Sequence, residues 1–167
     1  MADEIEKLME LMQEDLQRHR ELAQILDNKL DAMRHRDIPR LEALAVAEHR
    51  LMGLISTHSK KRCDILRQAT GKYFPGHGKK LATARELAQA AGGATRDKLL
   101  AISAMLADVT RKVQSLNQVN TIASQKILGH VDHIFRIIAQ SGRDIGLYGR
   151  AGKKAPSEQN RLVDAIA

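Results

Sequence analysis

Aromatic residues are nearly absent: the 167 residues hold two Tyr, two Phe and no Trp. Stacking platforms for single-stranded nucleic acid are therefore missing, and so are the aromatics that strands collect. Cysteine is scarcer still. Cys63 stands alone, which excludes an internal disulfide. With no CxxC motif or Cys/His cluster around it, a thiolate metal site is excluded too, and a reducing compartment is expected. No apolar run approaches the roughly 20 residues that a membrane span needs. The acidic start MADEIEKLMELMQEDLQ lacks the basic and then apolar layout of a secretory signal. These absences predict a soluble, cytoplasmic protein.

What is present favours helix. The chain is 43% hydrophobic, mainly Leu, Ile, Ala and Met, and its length suits one domain without metal or disulfide support. A formal charge of +7 and a pI near 9.8 raise the question of nucleic acid. The charge is uneven, however: residues 1–37 carry −4 and residues 38–92 carry +6. An acidic first segment lying against a basic second one gives part of that charge an internal use.

Heptad spacing organises most of the chain. Ile5, Met9, Met12, Leu16, His19, Ala23, Leu26, Leu30 and Met33 form the seam of a helix over residues 3–36. Asp37 as N-cap and Pro39 in the first turn restart the chain. A second helix over 38–70 follows, with Leu41, Leu44, Glu48, Leu51, Ile55, His58, Arg62, Ile65 and Ala69 as its seam. Glu48 and Arg62 hold equivalent positions two heptads apart, and each is expected to find a partner on a neighbouring helix, because a buried charge must be compensated. Gly71 suits the C′ position and Pro75 the stop. The loop GKYFPGHGKK, residues 71–80, imitates a phosphate loop, but Tyr73 and Lys80 stand where a Walker motif needs Gly and Ser or Thr.

Beyond it, Thr83 and Glu86 match a capping box, giving a short connector helix over 83–91 in an otherwise exposed stretch. A third long helix over 95–140 carries the seam Leu99, Ile102, Leu106, Val109, Val113, Leu116, Asn120, Ala123, Ile127, His130, Ile134, Ile137. The expected fold is all-α: an elongated antiparallel three-helix coiled-coil bundle over residues 1–142, then a flexible C-terminal segment, 143–167. In that tail Leu162, Val163 and Ile166 can share one helical face that nothing local buries.

No enzyme site can be assembled. His130 and His133 are three apart but lack further ligands for zinc, and Glu48 has no second positioned group or pocket to act as an acid. Lys60, Lys61 and Arg62 next to Cys63 could lower its thiol pKa, yet no base accompanies it. No catalytic residue, cofactor or metal is expected. Asn120 falls in the seam, where a buried Asn sets register; Asn117 flanks it and is placed to reach a neighbouring backbone or an incoming helix.

At this point the residues acquire a family. Leu116-Asn117 with Asn120, followed by Tyr148-Gly149 and Gly152, resembles the FlgN family of flagellar export chaperones, and Glu48, Leu51, Arg62 and Leu66 resemble its second helix. The resemblance implies a cytosolic chaperone, without ATPase activity, that binds the C-terminal helical ends of hook–filament junction proteins (FlgK- and FlgL-like clients) and delivers them to the flagellar type III export apparatus. Client contact is then expected at Ile127, Ile134, Ile138, Tyr148, Leu162, Val163 and Ile166, with Glu48, Arg62, Asn117 and Asn120 specifying register or fold. A monomer or a homodimer fits. The alternatives are a basic coiled coil that binds nucleic acid and a structural coiled-coil assembly protein.

Overall fold

A computed structural model describes residues 2–76 and 80–144. Four helices account for nearly all of them: α1 (Ala2–His35), α2 (Ile38–Tyr73), α3 (Ala84–Ala91) and α4 (Gly93–Asp144). No strand occurs among the described residues, so the chain is all-α. It divides into two compact units, Met1–Ala123 and Ser124–Ala167. The boundary falls inside α4. The packing described next belongs to the first unit.

The turn between α1 and α2 is made without glycine. Arg36 adopts a left-handed φ of 56°, so that its N–H reaches Met33 O at 3.3 Å and the Asp37 N–H reaches Ala32 O at 3.0 Å. This is the Schellman pattern, with a side chain tolerated where glycine is usual. Asp37 then caps α2 by accepting from Arg40 N, and Pro39 lies in the first turn. At its other end α2 passes Gly71, contrary to the expected stop. Thr70 still accepts a helical bond from the Phe74 N–H, and the helix ends at Tyr73, where Pro75 withdraws the next donor.

The two long helices pair antiparallel, while the first part of α4 runs in the same direction as α1. Ile5, Leu8 and Met12 of α1 share a core with Ala69 of α2 and with Leu99 and Ile102 of α4. Further along, Leu22 and Leu26 meet Leu51 of α2, with Val113 and Leu116 of α4 packed alongside. Because α1 serves two neighbours it buries two stripes, and a single heptad seam understates it. Leu8, Asp15 and Leu22, seven apart, are buried, whereas the expected seam members Met9 and His19 are only half-buried.

Helix α3 is also part of the core. Leu87 and Ala88 are fully enclosed, and the expected capping box is formed by Thr83 and Glu86. Its approach is fixed by Thr70, whose hydroxyl donates to Leu66 O at 2.6 Å and accepts from Ala82 N at 2.8 Å. Fully burying a Leu is worth about 2–3 kcal/mol, so the exposed connector expected from the sequence is instead pinned at both ends.

Where α1 begins, Glu4 accepts from Lys72 Nζ at 2.6 Å and from Tyr73 Oη at 3.2 Å. The Lys72 hydrogen bond lowers the Glu4 carboxyl from 4.5 to about 2, and the same contact raises Lys72. A lowered carboxylate contributes fully above its unfolded value and loses that contribution as pH falls through the folded one. Side-chain carboxyl NMR should therefore show Glu4 titrating near pH 2, and Lys72→Met should move its midpoint up toward 4.5. An unmoved midpoint in that variant would remove Lys72 as the cause.

Candidate functional site

Charged and apolar pairs alternate along the α1/α2 interface. One heptad at a time, toward the start of α1 and the end of α2, the facing positions are Lys29 with Glu48, Leu22 with Ile55, Asp15 with Arg62, and Leu8 with Ala69. The two ion pairs are each 2.5 Å long; the two apolar pairs belong to the two hydrophobic clusters. The sign reverses between the ion pairs, with the cation on α1 in one and on α2 in the other. A slip of one heptad would set Asp15 against Ile55 or Ala69 and leave a buried charge uncompensated, at a cost of several kcal/mol. A slip of two heptads in one direction would set Asp15 against Glu48. The antiparallel register is thus defined by polar residues at seam positions.

Asp15 is the centre of this arrangement, with 1% of its surface exposed. Its Oδ2 accepts from Arg62. Its Oδ1 has no hydrogen-bond partner, and the nearest polar atom of His58, Nδ1, lies 3.5 Å away. That ring nitrogen also faces the Arg18 guanidinium. His19 Nδ1 lies 2.7 Å from the Asp15 backbone carbonyl. Glu48 and Arg62 were legible in the sequence as polar seam residues. Asp15 and Lys29 were missed, although the run Leu8, Asp15, Leu22, Lys29 alternates apolar and charged residues at the same seven-residue step as Glu48, Ile55, Arg62, Ala69.

The two asparagines separate cleanly. Asn120 is buried, and its Nδ2 donates to Leu26 O of α1 and to Leu116 O of its own helix, both at 2.9 Å. Its Oδ1 is buried without a partner. Asn117 is exposed, and its backbone carbonyl accepts from the Thr121 hydroxyl.

In the second unit α4 carries an apolar surface. Ile127, Leu128, Val131, Ile134, Phe135, Ile137 and Ile138 are each between 43% and 67% exposed. Ile127, Val131, Ile134 and Ile138 follow the four-three-four spacing of a helix-pairing seam. Contiguous apolar exposure on this scale marks an interaction surface. Of these, Ile127, Ile134 and Ile138 were expected as client contacts; Leu128, Val131 and Phe135 were missed, because a single seam was followed where two adjacent ones are apolar. Asp132 and Arg136 pair at 3.0 Å on the same stretch. The other expected contact residues, Tyr148, Leu162, Val163 and Ile166, lie outside the described residues, as do residues 77–79 of the basic loop.

Elsewhere chemistry is sparse. Grooves of about 250 and 390 Å³ lie beside α1 and the first part of α4. The first is lined by Arg20, Asp27 and Lys112 and the second by Glu6, Glu10 and Lys98, and neither lining contains a Ser, Thr, Cys or His to act as nucleophile or base. His130 and His133 are exposed. No group of three or more metal-ligating residues, and no helix long and apolar enough to cross a membrane, occurs among the described residues.

A family model described as FlgN protein matches residues 1–156. No curated protein and no solved structure matches the chain.

Two expectations about the polar seam can be measured by chemical denaturation and calorimetry. Arg62→Ala should cost about 2–4 kcal/mol, since it strands a buried carboxylate while partial exposure of the arginine lets water relieve some of the loss. The double replacement Asp15→Leu with Arg62→Met should bring stability back to within about 1 kcal/mol of the parent. Asn120→Leu removes the orphaned carbonyl oxygen and should raise the thermal midpoint by about 2–4 °C or change the oligomeric state. A lowered midpoint would mean that the bond to Leu26 O outweighs the orphan.

Proposed function

The chain belongs to the FlgN family of flagellar chaperones, and from that premise we propose that it is a cytoplasmic chaperone for hook–filament junction proteins. In this reading it binds the C-terminal helical ends of FlgK- and FlgL-like clients and delivers them to the flagellar type III export apparatus, without catalysis. The working form is a three-helix coiled coil made by α1, α2 and α4. The observation that carries the reading is the exposed apolar surface of residues 127–138 on α4.

A client helix that will later pack inside a filament must first expose an apolar seam, and such a seam is covered by laying it along another helix with matching spacing. Ile127, Ile134 and Ile138, joined by Val131 and Phe135, supply matching knobs. Tyr148, Leu162, Val163 and Ile166 extend the contact along the client in the same proposal.

The net charge of +7 keeps a nucleic-acid reading in view. Phosphate contacts lose affinity steeply with salt, whereas apolar helix pairing changes little. Two of the cations, Lys29 and Arg62, are already paired with Glu48 and Asp15.

Co-purification with the cognate junction proteins is the direct test. The complex should survive a rise in salt, and Ile134→Asp with Ile138→Asp should weaken it at least tenfold while helicity stays unchanged. If neither junction protein co-elutes with the parent chain, the proposal fails.

A further inference from the structure

The exposed surface of α4 poses a problem for the protein when no client is present. Ile127, Leu128, Val131, Ile134, Phe135 and Ile138 are each between 43% and 67% exposed, more contiguous apolar surface than a soluble chain usually leaves uncovered. All six belong to the unit Ser124–Ala167. The charged residues among them, Asp132 and Arg136, are paired with each other at 3.0 Å. Each stands two residues from a seam isoleucine, about 200° around the helix, so the apolar face itself holds no Asp, Glu, Lys or Arg.

We propose that, in the client-free protein, two copies of the chain pair antiparallel through this face, and that a client helix takes the place of the second copy. The replacement step rests on the reading of residues 127–138 as client-facing; the pairing does not.

Spacing makes the face its own complement. The steps from Ile127 through Val131 and Ile134 to Ile138 are four, three and four, and read backwards they are the same. A two-fold interface presents one patch on both sides, and antiparallel helices lay one seam against the other in reverse order. Turned over on itself, the seam sets Ile127 against Ile138 of the partner subunit and Val131 against Ile134 of the partner subunit, each pair occurring twice. The same alignment brings Leu128 beside the partner's Phe135, so both apolar stripes are covered together. A parallel pair in register keeps the seam but sets Phe135 beside the partner's His130.

Charge and area favour a second copy as the occupant. Each chain carries +7, yet on this face copy meets copy without like-charge repulsion. A partner selected by its charge would find no answering group there. Six side chains about half exposed offer on the order of 600 Å² per chain, so the pair buries on the order of 1,200 Å², the lower end of specific interfaces. The dimer is therefore concentration-dependent. A client helix that makes contact beyond the roughly 17 Å of residues 127–138 displaces the copy by contact area.

The test uses the full-length chain with no client present. Sedimentation equilibrium from low to high micromolar concentration should show monomer and dimer in exchange, and Ile134→Asp with Ile138→Asp should weaken the dimer at least tenfold at unchanged helicity. Direction is read by cross-linking on a Cys63→Ser background. An equimolar mixture of Ile127→Cys and Ile138→Cys chains should form a disulfide-linked pair under mild oxidation, and neither chain should do so alone. A parent chain that stays monomeric throughout overturns the proposal, and so does a dimer that survives the two Asp replacements. A mixture that fails to cross-link, or single-cysteine chains that each cross-link with themselves, overturns it as well. Because no client enters these measurements, a chain that dimerises through this face yet binds no junction protein would uphold the pairing and sink the functional reading, and a monomer that binds one would do the reverse.

Discussion

A carboxylate placed inside a bundle has to be answered by a cation, and Asp15 is answered by Arg62 from the opposite helix. Much of the first unit follows from that contact. It sits between two hydrophobic clusters, one near the start of α1 and one further along, that would tolerate several alignments if left to themselves. Apolar side chains of similar volume exchange at small cost, whereas a stranded buried charge does not. The ion pair contributes discrimination between registers more than net stability, and the Lys29–Glu48 pair repeats the device with the signs exchanged.

Helix existence, order and approximate length were legible because the periodicity is long and uninterrupted. Asp37, Pro39, Thr83 and Glu86 signal their helix starts through short-range chemistry that needs no tertiary context. What escaped reading has physical reasons too. Gly71 resembles a helix end only if the chain turns there, and Thr70 keeps its carbonyl in the helical ladder for one more bond. The Schellman turn at Arg36 has no glycine to advertise it. Asp15 escaped because an acid within the run EDLQRHRE carries no mark of burial until two neighbours for α1 are known. Asn117 and Asn120 show the limit of spacing alone: one turn apart in sequence, they end in water and in the core.

The candidate site was half visible. Ile127, Ile134 and Ile138 were named from the sequence, but α4 has two adjacent apolar stripes there, and Leu128 and Phe135 make the surface broad. Breadth matters for a chaperone of the FlgN family, since a broad face accepts a helix in more than one rotational setting where a narrow seam accepts only one.

The alternation of charged and apolar heptads also governs how this hairpin can change over generations. Adding seven residues to α1 between Asp15 and Lys29 would preserve every helical face, yet it would separate the two ion pairs by unequal distances on the two arms. Only a matching addition to α2 between Glu48 and Arg62 would restore them. The arms can therefore lengthen or shorten only in step, and a single-arm insertion that looks harmless in a sequence would be purged.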